Sequence, residues 1–231
     1  MKFEIFGNSH AAILTGAPPS GNIVPKSKEK PRGPGFTQPH PSLPFRTWFL
    51  GPVLAYNFYE NHLHKIYSHI KENPDKFDEQ TMILLQVGEI DCRAHLPKYV
   101  NLNTSVEHVV RQCIDRYHRS ISELVEKGYK VGVLGVIPSQ SDEKIKSILS
   151  GSELASNLSG NTNLRRDICL EWERYHSSIC KNQSIPYISI YEKLTDKDRL
   201  AIEDFYVDSI HLSHDKTINL WIQSFKDANL M

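Results

Sequence analysis

Two nearly continuous apolar runs, separated by one long amphipathic stretch, constrain the fold more than any other feature of the sequence. The runs are Met82 to Val87 (MILLQV) and Val131 to Ile137 (VGVLGVI). Each is typical of a strand that is buried on both faces of a parallel sheet. Between them, residues 105–127 carry apolar side chains at helical spacing, and Gly128 follows as the predicted C-cap. A strand, a crossover helix and a second strand predict an α/β fold.

Shorter segments on both sides of this unit continue the alternation of strands and helices. Further strands are predicted at Phe3 to Phe6, Thr47 to Leu50 and Tyr187 to Ile190. Further helices are predicted from Gly51-Pro52 towards residue 71, near 164–182 and over 214–228, with a polar, serine-rich connection at 139–163. Five strands with helices between them predict a five-stranded parallel sheet covered on both faces, within a single domain of residues 1–231.

Residues 17–44 form the largest interruption of this alternation. The stretch holds eight prolines and three glycines, which exclude a helix or a central strand. The sequence therefore predicts a long irregular loop inserted into the domain. Such a loop is either functional or a disordered surface excursion, and composition does not separate the two.

Charge and cysteine usage limit the class of protein. Lysine plus arginine number 27, as do aspartate plus glutamate, and this balance argues against a nucleic-acid partner. No apolar run is long enough to cross a membrane, and the start MKFEIFGNSH resembles a strand rather than a signal peptide, so we expect a cytoplasmic protein. The four scattered cysteines are expected to be buried free thiols. His62 and His64 lack metal-ligand spacing, so neither a metal nor a cofactor is predicted.

The carboxyl ends of the strands are where a parallel sheet binds its ligands, and chemically suitable residues lie there. Ser9 follows the first strand at a point where a helix can begin, so helix N–H groups could bind an oxyanion beside it. Asp208 and His211 lie three residues apart in the loop after the fifth strand, a spacing that lets the carboxylate reach Nδ1 of the imidazole. Nε2 is then free to activate Ser9. Taken singly, Ser9 could be a helix N-cap and Asp208 a turn residue; together they predict a catalytic triad.

Four segments in the right order resemble the conserved blocks of the SGNH, or GDSL-like, hydrolases. Ile5-Phe-Gly-Asn-Ser9-His resembles the first block, a strand followed by Gly-Asp-Ser, and Asp208-Ser-Ile-His211 resembles the fifth block, Asp-x-x-His. Gly88-Glu-Ile-Asp91 is similar to the third block, Gly-x-Asn-Asp, and Gly51 stands where the second-block glycine is expected. The resemblance spans residues 5–213. It implies a three-layer α/β/α sandwich of the flavodoxin-like kind, and hydrolysis or transfer of O-acyl groups through an acyl-serine.

Two residues depart from the family pattern. Asn8 replaces the aspartate before the serine, which is expected to have a mild effect because that side chain mainly shapes the turn. Ile90 replaces the third-block asparagine, whose amide donates to the oxyanion in the family, and loss of one such donor can cost roughly 10²–10³ in rate. Gly51 and Arg93 are therefore the candidate oxyanion donors, the latter because a guanidinium offers several N–H groups.

Glu89, Asp91 and His10 are candidate substrate-binding residues at the same edge of the sheet. An alternative is that Glu89, Asp91 and Arg93 form an ion-pair network that only braces the loop.

Two functions of different classes follow. The first is a serine esterase or acyltransferase acting on a small-molecule or glycan ester; the preference for an acylated carbohydrate rests on the family resemblance. The second is a non-catalytic glycan-binding or scaffold protein that retains the fold, which Ile90 favours and the intact triad opposes. Four residues near the expected crevice are compatible with a sugar ring but equally with core packing: Phe36, His40, Trp48 and Tyr56.

Overall fold

A six-stranded, mostly parallel sheet forms the centre of the molecule. The computed structural model describes residues 1–16, 37–149, 159–208 and 210–231, and only the backbone of 146–149. In the sheet order β2-β3-β1-β4-β5-β6, β2 is antiparallel to β3 and the other neighbours are parallel. The strands are β1 (Lys2–Gly7), β2 (Thr37–Pro39), β3 (Phe45–Phe49), β4 (Thr81–Gln86), β5 (Lys130–Leu134) and β6 (Tyr187–Ile188).

Helices cover both faces of this sheet. They are α1 (Ser9–Ile13), α2 (Phe58–Asn61), α3 (Leu63–Glu72), α4 (Val106–Glu126), α5 (Asp142–Leu149), α6 (Thr162–Asn182) and α7 (His214–Asp227). Among the described residues, none of these helices is both long and apolar enough to cross a membrane.

The alternation of side chains along β4 divides the core into two halves. All six residues of β4 are buried. Ile83 and Leu85 pack in the cluster that includes apolar residues of α3, α4 and α6. Met82 and Leu84 point to the opposite cluster, with residues of α1 and α7. Full burial of a Leu, Ile or Met side chain contributes roughly 1.5–3 kcal/mol, so a central strand with no polar face favours a three-layer α/β/α sandwich.

The two longest helices begin where capping side chains stop the preceding loop. Ser105 accepts the backbone N–H of His108 at 3.2 Å before α4, and Asn161 accepts that of Leu164 at 2.9 Å before α6. Each side chain satisfies one of the N–H groups that a helix start leaves without a partner. The predicted helices at 105–127, 164–182 and 214–228 are thereby confirmed to within a few residues as α4, α6 and α7.

The sheet has one strand more than the five predicted. The extra strand is β2, which lies inside the proline-rich stretch 17–44 that was expected to be irregular throughout. Pro39 cannot donate to a ladder, but β2 is an edge strand and pairs on one side only, so the proline is tolerated. The rest of the predicted loop, residues 17–36, lies outside the described residues, and Phe36 with it.

Two further predictions, the start of one helix and the nature of one connection, differ from the structure. The helix expected from Pro52 begins only at Phe58, because Asp91 accepts the N–H groups of Ala55 and Tyr56 and holds this segment as a loop. The connection at 139–163 contains α5, whose first turn carries Asp142 and is favoured by that negative charge.

Candidate active site

Ser9 is the first residue of α1, directly after the carboxyl end of the central strand β1. Asn8 caps the helix: its side-chain oxygen accepts the N–H of His10 at 3.0 Å. Gly7 allows β1 to lie close to β4 just before Ser9, because a β-carbon at this position would collide with the carbonyl oxygen of Gln86 on β4. The Ser9 side chain is half-buried and reaches the edge of the sheet.

Asp208 organises the tight turn that carries His211. One of its carboxylate oxygens, Oδ1, accepts the backbone N–H groups of Ile210 and His211 at 2.7 and 2.6 Å. The other, Oδ2, lies 2.7 Å from Nδ1 of His211. Gln140, in the loop after β5, donates to the carbonyl oxygen of Asp208 at 2.9 Å and fixes the turn from the other side. The sequence offered no signal for this last contact.

The structure brings Ser9, Asp208 and His211 into one hydrogen-bonded row. Nε2 of His211 lies 2.9 Å from Oγ of Ser9, within the distance that proton transfer requires. Burial would raise the pKa of Asp208, but its hydrogen bonds from His211 and Ile210 outweigh burial and lower the pKa. Asp208 therefore stays ionised and holds the Nδ1–H tautomer of His211, whose Nε2 lone pair faces the serine hydroxyl.

A second group of polar side chains lies behind this row. Arg93 donates through Nε to Oε1 of Glu89 at 2.6 Å, and Nε2 of His10 lies 3.2 Å from Oε2 of the same carboxylate. The rings of His10 and His211 are 5.1 Å apart between centroids. His10, Glu89 and Arg93 are all buried, at 4, 5 and 8 % exposure. Glu89 and Arg93 thus form a buried ion pair, as the alternative of a bracing network expects. Asp91, the third member expected in that network, does not take part in this pair.

Burial and the ion pair between Glu89 and Arg93 determine the protonation states of this group. Burial would raise the pKa of Glu89, but the adjacent Arg93 holds it well below its usual range. Burial lowers the pKa of His10, which favours a neutral imidazole behind the triad. Burial would also lower the pKa of Arg93, but Glu89 and, more weakly, Asp208 raise it. The guanidinium is therefore within electrostatic reach of the triad carboxylate.

Asp91 lies elsewhere, contrary to its expected place among substrate-binding residues. It is fully buried, and its oxygens accept the N–H groups of Ala55 and Tyr56 at 2.7 and 3.3 Å and the thiol of Cys113 at 3.7 Å. A carboxylate used in this way has no surface to offer a ligand. Its contacts hold the loop after β3 against α4 and against the single π-helical turn Asp91–His95.

Gly51 and Ile90 follow β3 and β4, the two strands that pair with β1. The N–H of Leu50 donates to the carbonyl of Gly7 at 2.9 Å, which places Gly51 beside the turn that carries Ser9. Gly51 has a φ of 91°, a left-handed conformation that favours glycine. Ile90 is half-buried in the short helical turn after β4 and has no hydrogen-bond donor in its side chain.

Two of the aromatic residues weighed from the sequence have clear positions. Trp48 is buried in the core, where Nε1 donates to Glu4 at 2.5 Å. Tyr56 lines a cavity of about 330 Å³ together with His95, Tyr99 and several polar side chains. Tyr56 follows β3 and His95 follows β4, the two strands that pair with β1.

Comparisons with known proteins agree on the architecture. No family model matches the sequence, and no curated protein matches it. Among solved structures, the chain is similar to a protein described as an acylhydrolase from Bacteroides fragilis, with a TM-score of 0.58, 10% identity and coverage of 100% of this chain and 88% of that one. It is also similar to a GDSL-like lipase from Bacteroides thetaiotaomicron (TM-score 0.58, 11% identity, 98% and 88% coverage).

A third similar structure is described as a lipolytic protein of the G-D-S-L family from Desulfitobacterium hafniense. It has a TM-score of 0.51 and 11% identity, over 100% of this chain and 99% of that one. At such identities the likeness concerns the fold, and it extends over the whole of this chain rather than over one βαβ unit. The chain has the fold of the SGNH, or GDSL-like, hydrolases.

Proposed function

We propose that the chain is a serine-dependent O-acyl ester hydrolase or acyltransferase that works through an acyl-serine intermediate. The observation that carries this proposal is the row Ser9–His211–Asp208, with separations of 2.9 and 2.7 Å. Serine is a poor nucleophile unless a neighbouring base accepts its proton, and the row supplies that base with its orienting carboxylate.

The proposed reaction has two halves. His211 takes the proton of Ser9 as Oγ attacks the ester carbonyl, and the tetrahedral oxyanion forms opposite the Ser9 and Gly51 backbone N–H groups. Collapse of this intermediate breaks the bond to the alcohol, which leaves with the proton from His211. Water, or a second alcohol in the case of transfer, then attacks the acyl-serine with His211 again as base, and releases the acid or the new ester.

Covalent labelling tests this proposal directly. A fluorophosphonate mimics the acyl centre and reacts only with a serine that has an activating base. We expect wild-type protein to label at Ser9, and Ser9→Ala and His211→Ala to label far less. Ser105→Ala is the matched control, because Ser105 also stands at the start of a helix but serves as its cap; this variant should label like wild type, as seen by intact-mass spectrometry.

The alternative of a non-catalytic glycan-binding protein is favoured by one observation, the absence of an amide donor at Ile90. It predicts no labelling and no esterase activity on any chain length, with glycan binding unchanged by Ser9→Ala. That result would replace the enzyme proposal.

An acylated carbohydrate is the substrate that we propose within this reaction class. The cavity at Tyr56 and Tyr99 combines aromatic faces with the polar side chains of Asn101 and Thr104, a composition suited to a sugar ring. Its lining comes from segments that follow β3 and β4, the two strands that pair with the strand before Ser9, and from the start of α4.

A pair of tyrosines gives a matched test of the carbohydrate proposal. Tyr56 lies 4.3 Å under the guanidinium of Arg116, and Tyr59 lies 4.4 Å under that of Arg119, but only Tyr56 lines this cavity. We expect Tyr56→Ala to raise KM for an acetylated oligosaccharide several-fold and to leave the hydrolysis of p-nitrophenyl acetate near wild type. Tyr59→Ala should change neither. Equal effects of Tyr56→Ala on both substrates would count against a sugar subsite in this cavity.

A further inference from the structure

Three potential metal ligands lie together between α4 and α6, outside the serine site. They are His118 on α4 and His176 and Cys180 on α6, all buried, with ligand atoms within 4.8 Å of one another. His176 and Cys180 are four residues apart, so they lie on the same face of α6. Sequence spacing did not reveal the group, because its members come from two helices that meet only in the folded chain.

His176 is an unusual core histidine. It is fully buried, and neither ring nitrogen has a hydrogen-bond partner among the described residues. The rings of Tyr117, Trp172 and Tyr187 surround it at 5.4–5.9 Å with their planes steeply inclined. Each unpaired buried polar atom costs roughly 1–3 kcal/mol, so an imidazole in this setting calls for a partner that the described residues do not supply.

His118 is oriented as metal-bound histidines are. Its Nε2–H donates to the side-chain oxygen of Gln183 at 2.8 Å, and Nδ1 is buried without a partner among the described residues. An amide oxygen can only accept, so this hydrogen bond fixes the proton on Nε2 and leaves the Nδ1 lone pair free. Such a hydrogen bond from the second ring nitrogen orients most metal-ligating histidines.

An acidic groove reaches one member of this group, His118. The groove has a volume of about 510 Å³ and is lined by His118 and Gln183 together with Asp115, Glu123 and Glu126. The groove is lined by these three carboxylates and by one guanidinium, that of Arg119, so its potential is negative and favours a cation.

We propose that His118, His176 and Cys180 bind one Zn²⁺ ion and thereby clamp α4 to α6. Two imidazoles and a thiolate are ligands that Zn²⁺ accepts and that Mg²⁺ and Ca²⁺ do not. A cysteine binds Zn²⁺ as the thiolate, so binding displaces the thiol proton of Cys180 and each bound ion releases one proton to solvent.

Cobalt and zinc titrations of the chelator-treated protein test the site. One equivalent of Co²⁺ should give intense visible bands of a four-coordinate ion and a near-ultraviolet thiolate-to-cobalt band, and one equivalent of Zn²⁺ should remove both. Zinc at about 100 times its Kd should raise the Tm by roughly 5–10 °C. These signals do not depend on ester hydrolysis, so they test the metal site independently of the serine mechanism.

Two cysteine variants locate the ion. Cys180→Ser should lose the thiolate band and most of the affinity, whereas Cys169→Ser, a buried cysteine on the same helix outside the group, should keep both. If Cys180→Ser does not fold, the wild-type protein still tests the site: a thiolate-to-cobalt band at one equivalent of Co²⁺ supports it, and the absence of this band contradicts it. No stoichiometric binding would overturn the proposal, as would binding that survives Cys180→Ser in a folded protein. Uptake of Cu⁺ without Zn²⁺ or Co²⁺ would overturn the assignment to zinc.

Discussion

Asp208 has two separable tasks at the residue scale, because its two oxygens bind different partners. Oδ1 holds the turn through two backbone N–H groups, and Oδ2 faces Nδ1 of His211. Asparagine can keep the first set but places an NH₂ group opposite Nδ1. We expect Asp208→Asn to leave the Tm within a few degrees and to lower kcat by roughly 10³–10⁴, since the wrong tautomer of His211 is favoured.

The measurement is the steady-state rate on a short-chain p-nitrophenyl ester beside a thermal melt. A variant that melts normally and retains more than a tenth of wild-type kcat would exclude Asp208 as the orienting carboxylate.

Arg93 can serve the oxyanion or only neutralise Glu89, and a double variant separates the two. Arg93→Met alone leaves the buried Glu89 carboxylate without its guanidinium, which is expected to cost roughly 3–5 kcal/mol in stability. Adding Glu89→Gln removes the orphaned charge and should recover much of that loss. If Arg93 donates to the oxyanion, the double variant melts near wild type but keeps a low kcat with little change in KM.

Recovery of both stability and kcat in the double variant would assign Arg93 to bracing alone. The result bears on Ile90 as well, because a bracing Arg93 leaves the backbone N–H groups of Ser9 and Gly51 as the remaining candidate donors.

At the element scale, Glu173 on α6 ties the last part of the sheet to its covering helix. Its carboxylate accepts from the hydroxyls of Tyr187 and Ser189 at 2.7 and 2.6 Å and from the N–H of Val136 at 2.8 Å. Burial raises the pKa of Glu173 to about 7, although these hydrogen bonds partly oppose it.

A raised pKa means that the folded state holds a proton that the unfolded state loses near pH 4.5. The stabilising contribution is therefore complete below about pH 4.5 and is lost as the pH rises through about 7. We expect the difference in unfolding free energy between wild type and Glu173→Gln to fall over this window, with a slope approaching 1.4 kcal/mol per pH unit. Urea denaturation at several pH values measures it; parallel curves for the two proteins would show that folding does not raise the pKa of Glu173.

Elements with a strong internal pattern were predictable from the sequence, and those set by distant contacts were not. The stripe and the capping serine of α4 lie within one segment, as does the apolar run of β4. The late start of α2 depends on Asp91, which comes from another strand end, and β2 exists because β3 offers it an edge. Neither cause is visible in the local sequence.

For the whole molecule, the same distinction applies to the site. The positions of Ser9, Asp208 and His211 followed from strand ends and short spacing, and the sheet topology then brought them together. The burial of Glu89, His10 and Arg93 depends on packing between α1 and the turn after β4, which no spacing rule describes. Sequence patterns therefore located Ser9, Asp208 and His211 better than the buried charged group that lies behind them.

The order of the strands has a consequence for how this protein is made. β1 is the first of the six strands to leave the ribosome, yet it gains a partner only when β3 has been synthesised and is paired on both sides only after β4 has followed. The contact between Ser9 and His211 closes a separation of 202 residues, so it forms only after the segment that carries His211 has been synthesised. A nascent molecule, or one clipped before residue 211, thus carries the serine without its base, and under the proposed function esterase activity begins only after His211 has been synthesised.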